Sequence, residues 1–139
     1  MNRILAIFLI SMASFAVTSA NAQQPTLTAN IPFDFIVGNT LMPAGEYTIT
    51  SPFDEVLVLR AGARSTSVES SENNAESTSG DELVFDKYGN QYFLHEVLCP
   101  NVASLNRKLA PSKAEKNARQ HTTRAKLTNR EERTMIAAR

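Results

Sequence analysis

The chain has one cysteine, two histidines and no tryptophan in 139 residues. A single cysteine excludes an internal disulfide and any C-x-x-C redox pattern, so no internal disulfide staples the fold. The five glycines are scattered, and no G-x-G-x-x-G, P-loop, G-x-S-x-G or EF-hand pattern occurs. These absences remove the common signatures of nucleotide binding, serine hydrolysis and calcium binding. Long apolar runs are missing too. The longest uncharged one, Ile4 to Val17, has 14 residues, short of the roughly 20 that a spanning helix needs.

That short run follows Met1-Asn2-Arg3 and leads to the small residues Ala20 and Ala22 around Asn21. The pattern is that of a signal peptide, 1–22, with cleavage before Gln23. The competing reading, an uncleaved anchor, asks for a longer run. Cleavage predicts a periplasmic or secreted product of 117 residues (139 less 22) with no transmembrane segment. No cysteine follows the cleavage site, so no lipid anchor is expected there. A chain of this size buries about 65% of its unfolded surface, enough for one core.

The zero net charge conceals two opposite halves. Residues 23–100 carry eleven acids against three bases, net −8. Residues 101–139 carry ten bases against three acids, net +7. The join lies near Pro100, which predicts a β domain over 23–100 and a basic C-terminal segment over 101–139.

Period-two alternation dominates the first part. In "NIPFDFIVG", Ile31, Phe33, Phe35 and Val37 fall on one side, with Pro32 marking an edge or an irregular start. A turn at Pro43 and Gly45 follows. Tyr47 and Ile49 then point inward. Ser51-Pro52 reads as the next turn. "EVLVLR" reads as a central strand, Val56 and Val58 being taken as its core side. A turn at Ala61-Gly62-Ala63 leads to a weaker strand that puts Thr66 and Val68 on one face. The serine- and glutamate-rich stretch 70–81 reads as a mobile loop. A hairpin joins Leu83–Asp86 to Gln91–Leu98. A three-residue loop, Tyr88-Gly89-Asn90, pairs Phe85 with Phe93; a two-residue loop at Gly89-Asn90 pairs Phe85 with Leu94. Aromatic stacking favours the first. The expected core is Phe33, Phe35, Tyr47, Ile49, Val56, Val58, Phe85 and Phe93.

"YFLHEVLCP" gathers His95, Glu96 and Cys99, and raises the question of a metal or thiol site. On a regular strand His95, Val97 and Cys99 share a face and Glu96 opposes them. His95 and Cys99 then stand roughly 13 Å apart at ~3.3 Å per residue, too far to share a metal at about 2.0–2.3 Å. A cysteine nucleophile needs a base within hydrogen-bond reach, and the other histidine, His121, lies in the basic segment. Cys99 reads as a buried apolar thiol, with intermolecular pairing as its alternative. Asp34 and Asp86 read as solvated, and Tyr47, Tyr88 and Tyr92 as core rims with hydroxyls reaching water. No catalytic, cofactor-binding or metal-binding residue is assigned, and no cofactor is expected.

Beyond Pro100, Ser112-x-x-Glu115 fits a capping box, so a helix starts at about Lys113. Its thin apolar stripe of Ala114, Ala118 and Ala125 predicts stability only near the start, and the last dozen residues are expected to fray. The segment has no aromatic residue for base stacking, so no specific nucleic-acid partner is expected. Weak electrostatic binding of anionic surfaces is one expectation; docking on the acidic β domain and a solvated tail with no partner are the alternatives.

"IPFDFIVGNTLMPAGEYTI" (31–49) and "LVFDKYGNQYFLHEVL" (83–98) resemble a family of small exported bacterial proteins of unknown function. The resemblance covers roughly residues 28–118. It implies export and this order of segments, and implies no chemistry. Together these readings predict a mainly β fold, a small antiparallel β-sandwich or partly open barrel of about six strands, with a short C-terminal helix. They predict a non-catalytic binding module with an unknown envelope or extracellular ligand. The alternative is a membrane-surface or polyanion-associated protein acting through its basic tail.

Overall fold

Apolar residues at every second position make the strands, and glycine and proline cut them. A computed structural model describes residues 23–75, 77, 79–125 and 132–139; the expected signal segment 1–22 lies outside these. In chain order come β1 (Thr26–Ile31), β2 (Phe35–Val37), β3 (Thr40–Met42), β4 (Gly45–Phe53), β5 (Val56–Ala61), β6 (Arg64–Glu69) and β7 (Ser71–Glu72). Then follow β8 (Glu82–Tyr88), β9 (Gln91–Leu98), a 3-10 turn (Ala103–Leu105), β10 (Arg107–Lys108), helix α1 (Lys113–Ala125) and β11 (Glu132–Ala137). The fold is mainly β with one short C-terminal helix.

One sheet has the order β1-β4-β5-β6 and the other β11-β8-β9-β10-β7, one of them curled as a half-barrel. Pro32 lies where the chain leaves the first sheet and crosses to the second. There β2 joins β9 in parallel through Ile36 and Phe93, and carries β3 with it. The sheets meet twice. Thr28 and Arg139 exchange backbone hydrogen bonds of 2.7 and 2.9 Å beside a bridge between Ala29 and Ala138. At the other side β6 runs into β7 through buried Ser70, whose N–H donates to Glu55 O at 2.9 Å. The strand circuit therefore returns to β1.

The interior is filled by Leu27, Ile31, Phe35, Tyr47, Ile49, Leu57, Leu59, Leu83 and Phe85, none more than 2% exposed. Aromatic rings run through it edge to face: Tyr47 to Phe35 at 5.1 Å, Phe35 to Phe85 at 5.4 Å, Phe85 to Phe33 at 5.2 Å. Phe33 then stacks on Tyr92 at 3.9 Å. Such offset and edge contacts add about 0.5–1.5 kcal/mol each beyond area burial. The Tyr47 hydroxyl does not reach water; it donates to Pro43 O at 2.6 Å.

Three expectations about faces and turns are corrected. On β5 the core residues are Leu57 and Leu59, and Val56 and Val58 are half-buried on the other side. An all-apolar run carries no parity, and a register shift between Thr50 and Phe53 of β4 resets it. Ser51-Pro52 belongs to β4, and the turn comes later, at Asp54-Glu55. The β8–β9 hairpin uses the two-residue loop, so Phe85 faces Leu94 and Phe93 faces Asp86. Gly89 has φ 62° and Asn90 a negative φ, the pattern of a type II′ turn, whose twist suits a hairpin. Gly38-Asn39 repeats it between β2 and β3, with Gly38 at φ 60°.

The basic segment is woven into the sheets. β10 pairs with β9 and β7, and β11 pairs along β8 from Glu132–Lys87 to Ala137–Glu82. The fraying expected of the last dozen residues does not hold for 132–137: Ile136 and Ala138 pack on the core. Within 70–81, read as a loop, Ser71 and Glu72 form β7.

Candidate functional site

The site begins with a bulge. β8 and β9 pair regularly from Tyr88–Gln91 to Phe85–Leu94, and the next pair is Val84–Glu96. His95 is the extra residue. An unpaired residue reverses the facing of everything beyond it. Leu94 and Val97 thus both enter the core, while His95 and Glu96 both lie on the outer face. The expected grouping of His95 with Val97 and Cys99 fails for this reason.

Helix α1 covers that outer face. Ser112 caps it: Glu115 N–H donates to Ser112 Oγ at 3.1 Å. The Ser112 backbone amide in turn favours the ionised Glu115 carboxylate, completing the capping box. Ala114 N–H donates to Asn39 Oδ1 at 3.2 Å, which ties the helix start to the β2–β3 turn. Under the helix Phe93 packs on Tyr88, with ring centroids 5.8 Å apart. Phe93, expected in the main core, is buried here, on the opposite side of β9.

Asp86 from β8, His95 from the bulge and Glu115 from the helix each bring a ligand-type atom within 4.8 Å of the other two. His95 Nδ1 lies 3.3 Å from Asp86 Oδ2, and Nε2 lies 3.5 Å from Glu96 Oε1. The Tyr88 hydroxyl donates to Glu115 Oε1 at 3.4 Å. Asp86 is 4% exposed and Glu115 5%. Arg133 Nε stands 3.5 Å from Asp86 Oδ1 and Lys108 Nζ 3.8 Å from Glu96 Oε1, but both cationic side chains are half exposed. Such pairs are screened and worth little. Burial pushes the Glu115 carboxyl above the usual range, the Asp86 charge adds to that, and His95, Tyr88 and Ser112 oppose it.

Asp86 was expected to be solvated. The expectation fails because it rests on one strand's alternation, and the second face of β8 is covered by an element thirty residues away in sequence. Glu115 reads from sequence only as a cap; its burial has no local signal. Asp34 is exposed as expected, and its Oδ1 accepts from Ala44 N–H at 2.8 Å. Cys99 is 1% exposed. Burial, then the neighbouring Asp81 carboxylate, pushes its thiol from 9.0 up to about 11, which disfavours the reactive thiolate. His121 sits exposed on the helix.

A second feature is a polar cleft of about 320 Å³, lined by Asp54, Glu72, Asn73, Asn74, Ala103, Ser104, Asn106 and Arg107. Asn106 fixes its wall: its Nδ2 donates to Asn73 O at 2.7 Å and Ala75 O at 3.2 Å. A shallow depression on the helix, lined by Lys116, Arg119, Gln120, Thr123 and Arg124, is basic. Among the described helices, none is long and apolar enough to cross a membrane. No protein-family model, curated protein or solved structure matches the chain.

Proposed function

We propose that the chain is an exported, non-catalytic binding module of the bacterial envelope or extracellular space; the sequence resemblance supports the export. Its ligand sits in the polar cleft between β7, β10 and the 3-10 turn. The observation that carries the reading is the cleft lining: amides, a hydroxyl and charges of both signs on a wall pinned by Asn106. That is equipment for hydrogen-bonding a polar ligand, set beside a barrel interior already filled by side chains. The buried Cys99 thiol, pushed away from its thiolate form, supports a non-catalytic role. The test is a titration of the ¹⁵N-labelled protein with soluble envelope glycans and peptides. Shifts centred on Asn73, Asn74, Ser104 and Asn106 are expected. Shifts confined elsewhere, or turnover of an added compound, would overturn the reading.

The second reading, association with anionic surfaces, is favoured by the basic depression on the helix. It draws on the helix rather than on the whole segment, because Arg133 and Lys108 already face Asp86 and Glu96.

A further inference from the structure

The polar cluster under the helix has two features that a simple ion-pair network leaves unexplained. Asp86 Oδ1 and His95 Nδ1 are both buried, and among the described residues neither makes a hydrogen bond: Asp86 Oδ1 has only the half-exposed Arg133 Nε at 3.5 Å, and His95 Nδ1 only Asp86 Oδ2 at 3.3 Å. Buried polar atoms in folded proteins are nearly always satisfied, and each exception asks for a reason such as an ion. The charge is also unbalanced. Asp86, Glu96 and Glu115 are all less than a tenth or so exposed, whereas the nearby Arg133 and Lys108 are half in water. His95 alone cannot neutralise three carboxylates.

We propose that Asp86, His95 and Glu115 bind a divalent transition-metal cation of the zinc class, which staples helix α1 to the outer face of the β8–β9 hairpin. The three ligand atoms come from three separate elements and already lie within 4.8 Å of one another. Around one zinc-class ion, ligand atoms at 2.0–2.2 Å stand roughly 3.3 Å apart. The His95–Asp86 separation already has this value. The widest separation therefore asks for at most about 1.5 Å of side-chain movement, within reach of a Glu rotamer. Glu96 is placed to support a ligating imidazole: its Oε1 faces Nε2 at 3.5 Å, and closing that gap to take the Nε2–H would leave the Nδ1 lone pair for the metal. One nitrogen with two carboxylate oxygens suits borderline ions such as Zn²⁺ and Co²⁺. Ca²⁺ takes six to eight oxygens and copper(I) prefers sulfur. The bulge at His95 matters here, since without it Glu96 would turn toward the apolar core and away from the imidazole.

The test uses Zn²⁺ and Co²⁺ as probes on metal-stripped protein, with Ca²⁺ and Mg²⁺ as controls. Calorimetry is expected to give one Zn²⁺ per chain. The near-isosteric variants Asp86→Asn, His95→Gln and Glu115→Gln should each weaken binding by at least tenfold. Glu96→Gln should weaken it less, and His121→Gln not at all. Should a variant fail to fold, the unaltered protein decides: Co²⁺ should broaden the backbone amides of Asp86, His95 and Glu115 before any others. Broadening centred on His121 or on exposed carboxylates would overturn the proposal. So would unchanged affinity in a folded Glu115→Gln, or Ca²⁺ binding as tightly as Zn²⁺.

Discussion

Asn106 and Asn73, thirty-three residues apart, are joined twice: Asn106 Nδ2 donates to Asn73 O at 2.7 Å and Asn73 N–H donates to Asn106 O at 3.0 Å. Asn106 Oδ1 also accepts from Cys99 N–H at 3.3 Å. One side chain thus closes the serine-rich connection against the end of β9. Asn106→Ala should cost about 1–3 kcal/mol, the penalty of leaving backbone groups unsatisfied. Hydrogen exchange should quicken at Asn73 and Ala75. Urea melts and exchange rates check both, and an unchanged exchange pattern would show that the loop is held by other contacts.

The two sides of β5 offer a second test. Leu59→Ala should cost about 2–5 kcal/mol because Leu59 is fully buried, whereas half-buried Val58→Ala should cost less than half of that. Phe35→Ala, in the middle of the aromatic run, should cost about 3–5 kcal/mol. Denaturant midpoints order the three. If Val58→Ala proved costlier than Leu59→Ala, the assigned facing of β5 would be wrong.

Alkali should destabilise the fold through Cys99. Its thiol ionises near 11 in the folded chain against 9.0 for an ordinary thiol. A raised folded value means that the contribution is complete below pH 9 and is lost as pH climbs from 9 to about 11. At about 1.4 kcal/mol per unit the loss is at most about 2–3 kcal/mol. Cys99→Ala should flatten the fall in stability over that window. The residual slope belongs to groups such as Tyr47, whose buried phenol is also raised. In neutral buffer, Cys99 should resist alkylation until the chain unfolds; prompt labelling of the native protein would contradict its burial.

Retention on anionic vesicles or a heparin-like polymer should be weak and confined to low salt, since exposed charges are screened over ~8 Å at physiological ionic strength. Lys116→Gln and Arg124→Gln should each lower it more than Arg133→Gln, because Arg133 is turned toward Asp86. Binding that persists at about 1 M salt would exclude the electrostatic account, because screening there falls to ~3 Å.

Alternation and turn residues carried the reading of strands where the two faces differ. β4 around Tyr47 and Ile49, β6 around Thr66 and Val68, and the existence of the β8–β9 hairpin were legible in this way, as was the helix start at Ser112; the hairpin's register was not, because aromatic stacking favoured the wrong loop length. Legibility failed where period two is broken or absent. β5 is apolar on both sides. The bulge at His95 adds one residue, and no local composition announces it. β11 reads as a polar tail because only Ile136 and Ala138 pack inward. The candidate cluster was illegible for a related reason. Asp86, His95 and Glu115 meet only after a helix folds back over a hairpin, and each residue alone has an ordinary explanation.

β11 has a kinetic consequence. It lies between β8 and β1, and its neighbour Ala138 bridges to Ala29. Until residues 132–139 arrive, β1 and β8 each present an open edge, and residue 29 waits for residue 138. Pairings across so much chain are slow to form, because the loop must close before any contact rewards it. A nascent chain would thus stay unlocked until β11 is available, with two sticky edges to be shielded meanwhile.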